Sequence, residues 1–547
     1  MKWAFLPVIA TAFVCGGCGD GRSSTDRAAE RGILIVGNNS EPQSLDPHKA
    51  TAVADGKIIG CLLEGLVRPD PANDVVPLPG MAASWECNEK ADRWVFYLRR
   101  ARWSDGTPVT SHDFAYAYRR LLHPQFGGRY AEMLYPLRNA RAYNEDRARW
   151  EDVGVRTLDD QTLELDLTEP MPHLPLLLLH YTWFPLPRHA VEANGGMLDL
   201  RSLWTHADRW VGNGAYVLRE HRFNDFLEVA ANPRYVRSSE VRNRAVRFLP
   251  VVNGFTETRM FFDGKMHITN NVPPETIEPA KQRAPEAYCE DPYYCTLFYR
   301  LNTTRPPLDD ARVRRALSLA VDREPLVRDV VRGAGRAACG FTPPGAGYAT
   351  PPMFPAMSDR ERHAEARRLL AEAGFPGGRG FPTLELMTSS REVQKVMAEA
   401  IQAMWSKNLG IHVDIRACEW TAYKAAQQNM QYDLSSSSWS GDYLDPATFV
   451  DLWRSGGGNN STGWSNPAFD ALLAEAHAAN DAPSRLAALR GAESVMLKEM
   501  PVIPLYWAER TYLKSPVVRG WHPLLLDTHP FDAVSIDSPE AGKEAKK

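Results

Sequence analysis

The sequence predicts an α/β protein with a parallel sheet covered by helices. Residues 383–387 (TLELM) follow Pro382 and read as a strand, residues 391–407 as a helix, and residues 411–415 as a second strand. Strand, helix and strand in that order make a βαβ unit, whose strands run parallel with the helix packed on one face. Short strand-like and helix-like segments alternate along the rest of the chain as well.

The other elements follow from local signals. Residues 33–37 (ILIVG) are an apolar run before a turn, a first strand. Residues 94–99 (WVFYLR) alternate in part, as a half-buried strand does. Asp105 and Gly106 make a turn, after which Ser111 is placed to cap a helix with Phe114, Tyr118 and Leu121 on one face. Residues 162–167 (TLELDL) are another strand. Residues 311–333 are helical with a break at Pro325, and 359–373 form an amphipathic helix ended by Gly374 and Pro376.

The N-terminus reads as an export signal. Lys2 precedes a mostly apolar run over residues 3–14, too short to span a bilayer core of ~30 Å, and Gly16 and Gly17 lead into Cys18. This order predicts a signal peptide over 1–17 and lipid attachment at Cys18, with Cys15 standing where a lipoprotein signal usually has Leu. Residues 18–31 are small and polar and are expected to form a flexible tether; residues 536–547 are expected to be a disordered tail.

Composition narrows the function. The 547 residues carry 63 basic and 67 acidic side chains, with no basic stripe that would mark a nucleic-acid partner. Fifteen tryptophans suit a protein that buries ligands against flat apolar faces. Beyond Cys15 and Cys18 there are six cysteines: Cys61, Cys87, Cys289, Cys295, Cys339 and Cys418. None of these six is in a C-x-x-C spacing, and a mixture of buried thiols with one or two structural bridges is expected.

The wording of several segments says more than their periodicity. The chain carries EPQSLDPHKA (41–50), LLEGLVRPD (62–70), W-x-FYLR and WSDGTPVTSHDF within 94–114, and NGAYVL (213–218). It continues with LNTTRPPLDDARVRRALSLAVDRE (301–324), WSGDYLDPATF (439–449), W-x-NPAFD (464–470) and PVIPLYW (501–507). In this order and spacing the chain resembles the oligopeptide-binding members of the family 5 extracellular solute-binding proteins.

That resemblance implies a two-lobed, type II periplasmic-binding-protein-like fold (a Venus flytrap) with an additional α/β domain. It places a first lobe at 32–63, 190–294 and 510–535, the extra domain at 64–189 and a second lobe at 295–509, with a hinge near Cys295 and Pro504. It also implies a monomer without cofactor, held at the cell envelope, that captures oligopeptides and hands them to a membrane-embedded ABC permease. Other cargo in the same fold (a dipeptide, a cell-wall peptide, a metal chelate or haem) is the alternative. An exported hydrolase is a third reading, but the chain has neither a G-x-S-x-G elbow nor an H-E-x-x-H helix.

A site for peptides of many sequences must hold what all peptides share. By resemblance, Asp442 meets the ligand α-ammonium, and Trp439, Tyr443, Tyr130 and Trp420 line the pocket. Ala52 and Val53 match a strand that pairs with the peptide backbone. Thr51 stands where a second acid is expected. Ser436, Gln427 and Gln394 replace basic residues that would meet the ligand carboxylate, and Ser436 and Ser438, within the run 435–438, supply hydroxyls instead. The carboxylate is therefore met elsewhere, screened by water or not required; Arg328 and Arg332 are candidate substitutes. Cys295 resembles a cysteine whose family partner position is Ser440 here, which rules out that bridge. Asp445 reads as a loop residue.

Overall fold

Among the described residues, three larger sheets of four, four and six strands carry the fold, with two two-stranded pairs beside them. The computed structural model describes residues 22–390, 392–479 and 481–537. The first sheet has four strands in the spatial order Ile33–Gly37, Ala245–Leu249, Phe226–Ala231, Tyr216–Arg222. The opening strand pairs parallel with Ala245–Leu249, and the others are antiparallel. The second sheet is antiparallel, in the order Ala82–Cys87, Arg93–Leu98, Thr162–Asp166, Val155–Asp159.

The third sheet is mixed and has six strands. Its order is Gly335–Ala337, Val502–Leu513, Tyr288–Leu301, Leu434–Ser440, Leu384–Ser389, Val413–Cys418. Leu384–Ser389 and Val413–Cys418 pair parallel with the helix Glu392–Leu409 between them, the βαβ unit expected from sequence. Leu386, Val413, Ile401 and Trp405 bury the contact between that helix and the sheet.

The cores show how the sheets are joined. One continuous core contains Leu34 and Val36 of the first sheet together with Phe96 and Leu163 of the second. The six-stranded sheet has its own cores on its two faces, around Leu301, Leu386 and Trp405 and around Phe298, Phe341 and Trp453. Two long antiparallel strands, Tyr288–Leu301 and Val502–Leu513, link the halves. Their register shifts between Pro292 and Thr296 and again between Leu297 and Phe298, opposite Tyr506 and Pro504. Such bulges bend and twist a strand pair locally.

Buried ion pairs fix segments distant in sequence. Arg120 donates to both carboxylate oxygens of Asp46 at 2.9 and 2.6 Å. Burial opposes ionisation of Asp46, but the Arg120 guanidinium outweighs it and holds the carboxyl down to about 2. Asp445 is likewise held by Arg485 through two hydrogen bonds of 2.7 Å, both side chains being buried. Asp445 lies in a bend, as the loop reading has it, and is in addition one half of a buried bidentate pair; it also accepts the backbone N–H of Ala447 at 2.9 Å.

Other expectations are corrected at the ends and at the cysteines. Within the stretch read as a tether, Ser24–Glu30 is a helix closed by a capping box between Ser23 and Asp26. Its Ala28 and Ala29 are buried, in contact with the core of Ile35 and Met266, because small side chains let the helix lie close to the sheet. Ile536, placed in the tail by sequence, belongs to a strand Ser535–Ile536 paired with Val518–Arg519 and donates its N–H to Asn243 Oδ1 at 3.2 Å. The signal peptide, Cys18 and residues 538–547 lie outside the described residues. The helix Ser111–Leu122 is capped by Thr110, one residue before Ser111, because the Asp113 carboxylate folds back onto the Thr110 N–H at 2.8 Å. All six described cysteines are free thiols, so the expected bridges are not formed.

Candidate functional site

The segment that follows strand Leu434–Ser440 is shaped by packing before chemistry. Gly441 donates its N–H to Tyr294 O at 2.9 Å. A Cβ at Gly441 would lie 2.6 Å from Tyr294 Cδ1, so only glycine lets the chain pass over that buried ring. The Thr448 hydroxyl then accepts from Trp439 Nε1 at 3.4 Å and from the Asp442 N–H at 3.3 Å. Those two bonds set the angle between the Trp439 indole and the Asp442 side chain.

Asp442 has no cationic partner and accepts no side-chain hydrogen bond among the described residues, although it is half-buried. A carboxylate that merely stabilised a turn would bond to a nearby backbone N–H. Burial, with Glu132 adding like charge, pushes the Asp442 carboxyl up to about 6. Glu132 lies in the turn Ala131–Leu134, immediately after Tyr130, and burial raises its carboxyl as well. The Tyr130 hydroxyl is pushed up to about 12 by burial and then by the charge of Asp442.

Neutral rings surround this pair of acids. Tyr130 meets His180 edge-on at 5.5 Å, and His180 lies 4.2 Å from Tyr181. Tyr443 stacks on His173 at 5.9 Å and packs against the core of the first two sheets. Burial lowers His173 and His180 to about 4, so both imidazoles are uncharged at neutral pH. The result is two carboxylates beside several aromatic rings, with no cation acting on either acid among the described residues. Chemically it is complementary to an ammonium group.

The structure places Asp442, Tyr130, Tyr443 and Trp439 near one another, from segments more than 300 residues apart in the case of Tyr130 and Asp442. A second carboxylate, Glu132, acts on Asp442, and it is not among the residues singled out from sequence. Ala52 and Val53 do not form a strand. The Asp55 carboxylate takes the N–H groups of Thr51 and Ala52 at 3.4 and 3.3 Å, and Val53 opens the helix Val53–Leu62. Val53 is nonetheless exposed, and Ala50 O accepts the Tyr181 hydroxyl at 3.2 Å, so the segment lies beside the aromatic wall.

The remaining residues form a second group. Trp420 is exposed and stacks on Tyr423 at 5.6 Å, with Lys424 Nζ 5.6 Å over its ring. Alternation along the strand puts Ser435, Ser437 and Trp439 on one face and Ser436 and Ser438 on the other. Ser436 is buried, and its hydroxyl donates to Thr388 Oγ1 at 3.2 Å; Ser438 is exposed. Buried Gln427 donates to Ser435 Oγ and Ser436 O and fills the interior. Arg328 is paired with its neighbour Asp329, and Arg332 is exposed in a left-handed conformation with φ 55°. Cys295 faces Ser440 directly across the strand pair, as the resemblance implied. Among the described residues no group of three metal-ligating side chains stands together, and no helix is long and apolar enough to cross a membrane.

Two lobes joined by paired crossing strands have the architecture of a solute-binding protein. Residues 76–461 match the bacterial extracellular solute-binding proteins, family 5 (middle), and the chain belongs to that family. It is 34% identical over 500 residues to the periplasmic oligopeptide-binding protein OppA of Escherichia coli K12, covering 90% of each chain. Among solved structures, the murein tripeptide-binding protein MppA of Escherichia coli superposes with a TM-score of 0.80 at 32% identity, covering 92% of this chain and 98% of that one. Haemophilus influenzae OppA in complex with the peptide RPPGFSPFR gives 0.78 at 31% identity, covering 93% and 99%.

Proposed function

We propose that this chain is the capture subunit of an ABC importer and binds oligopeptides through their free amino end. The observation that carries this reading is Asp442: a half-buried carboxylate, reinforced by Glu132, with no cation of its own among the described residues. A ligand ammonium supplies the missing charge, and Tyr130, Tyr443 and Trp439 close around the chain that follows it. The relatives named for oligopeptides and for a murein tripeptide support the same cargo class.

The lobes take the boundaries the resemblance implies, 32–63 with 190–294 and 510–535, and 295–509, with 64–189 as the extra domain. The shared core of the first two sheets supports treating the first lobe and the extra domain as one body against the second lobe. The bulges near Cys295 and Pro504 support a hinge there. Cys18 carries the lipid anchor; Cys18→Ser should move the protein to the soluble fraction or stall its processing, and unchanged membrane fractionation refutes the anchor.

Native mass spectrometry of the purified protein tests the cargo. Co-purified masses should resolve into a set of short peptides. A single recurring non-peptide mass overturns the reading.

Affinity should also depend on pH. In the free protein Asp442 titrates at about 6, whereas a bound ammonium holds it ionised and lowers that value. The complex then carries fewer protons than the free protein, so binding strengthens as pH rises through 6, until deprotonation of the free peptide's own α-ammonium at about 8 weakens it again. Calorimetry with trialanine between pH 5 and 8 should show up to about tenfold tighter binding across the lower part of that range. A flat profile contradicts the assignment.

A further inference from the structure

Two cations close to the strand Leu434–Ser440, Arg300 and Lys424, have no carboxylate partner among the described residues. Four arginines are buried among the described residues: Arg120, Arg300, Arg314 and Arg485. Arg120 and Arg485 are in ion pairs with Asp46 and Asp445. Arg314 is wrapped by the carbonyls of Glu499, Leu308 and Asp309 and feels the charges of Glu499, Asp310 and Asp309. Arg300 differs from all three. Its Nε donates to Ser437 Oγ at 3.3 Å and its Nη1 to Asn459 O at 2.9 Å, both neutral acceptors. Among the described residues no carboxylate acts on it; beyond burial, its electrostatic neighbours are the Tyr432 and Tyr423 hydroxyls.

A second cation stands beside it. Lys424 lies over the Trp420 ring, and its ammonium is made less basic by burial and then by the charge of Arg300. Two like charges brought together without a counter-ion cost free energy unless an anion joins them. Arg300 is 5% exposed and is supported by the Phe298 and Trp453 rings at 5.3 and 5.1 Å, so its position is fixed. On its strand it pairs with Ser435, and its partner Ser437 shares a strand face with Trp439. From Ser437 to Asp442 is five residues, at most about 17 Å, which an extended peptide of three to five residues covers.

We propose that Arg300 and Lys424 form an anion-receiving subsite of the ligand cleft, which takes a carboxylate of the bound peptide. The inference rests on the peptide reading above and completes it: acids without a cation at one pole, cations without an acid at the other. It supplies the carboxylate partner that the residues at Ser436, Gln427 and Gln394 no longer provide. The carboxylate is either the C-terminus or an acidic side chain, and the test separates the two.

The full chain is titrated calorimetrically with trialanine, trialanine amide, and the amides of Ala-Glu-Ala and Ala-Ala-Glu. The parent should bind at least one anionic peptide thirtyfold or more tighter than trialanine amide. Preference for trialanine identifies the C-terminus as the anion; preference for a glutamyl amide identifies a side chain. Arg300→Gln should reduce that preference to threefold or less, Lys424→Gln should reduce it several-fold, and Arg300→Lys should keep most of it. Lys424 is exposed, so its variant decides the matter if Arg300→Gln fails to fold. Peptides that bind with no preference for an anion, or with a preference that survives both glutamine variants, overturn the subsite and leave the peptide reading standing. If none of the four peptides binds the parent, both fall.

Discussion

Asp442→Asn is expected to weaken binding of trialanine by roughly thirtyfold, or about 2 kcal/mol, and by more if closure excludes water completely. Asparagine keeps the shape of the side chain and one acceptor oxygen, so the loss isolates the charge. An ammonium enclosed by the two halves of the protein gives up its hydration, and only an opposite charge recovers that cost. The fold should be unaffected, because the Asp442 carboxylate contributes no hydrogen bond or ion pair to it among the described residues. The thermal midpoint of the variant should equal or slightly exceed that of the parent at pH 7, where the parent must hold a carboxylate ionised against its raised titration point of about 6. Calorimetry and a melting curve on the same preparation check both halves of the expectation.

Three residues further on, the same kind of change should do the opposite. Asp445→Ala is expected to cost roughly 3–5 kcal/mol of stability, since it strands the Arg485 guanidinium in the core without its partner. The pair is bidentate at 2.7 Å and both members are buried. It also ties the turn before Ala447–Val450 to the helix Ala482–Glu499. A denaturant titration should show the midpoint falling with an unchanged slope. A shift below about 1 kcal/mol would place this pair with exposed ion pairs, which contribute little. Asp442 and Asp445 thus separate binding from stability within one short segment: the first carboxylate lacks a protein partner, the second has one.

That contrast also shows what the sequence conveys and what it does not. The βαβ unit over 383–418 is legible because strand and helix periodicities are local properties. Asp442 is legible because its neighbours Trp439, Gly441 and Tyr443 form a segment with recognisable wording. Sequence wording separates Asp442 from Asp445, but the buried partner of Asp445 is not legible, since only the fold brings Arg485 to it. Glu132 escapes for the same reason: it lies 310 residues from Asp442 and meets it only in the folded chain. Arg300 carries no signal in the sequence, and its want of a carboxylate among the described residues is a three-dimensional fact. The helix Ser24–Glu30 was within reach, because a serine followed three residues later by an aspartate is a capping signal; the polar composition around it pointed instead to a tether.

The central claim is that a ligand ammonium supplies the charge Asp442 lacks, and a two-by-two titration tests it most directly. The parent and Asp442→Asn are each titrated with trialanine and with N-acetyltrialanine, which has no ammonium. Acetylation should cost the parent roughly thirtyfold and the variant little, a coupling of about 2 kcal/mol between the carboxylate and the ammonium. If acetylation costs both proteins the same, or costs the parent nothing, Asp442 does not bind the amino end and the account is contradicted.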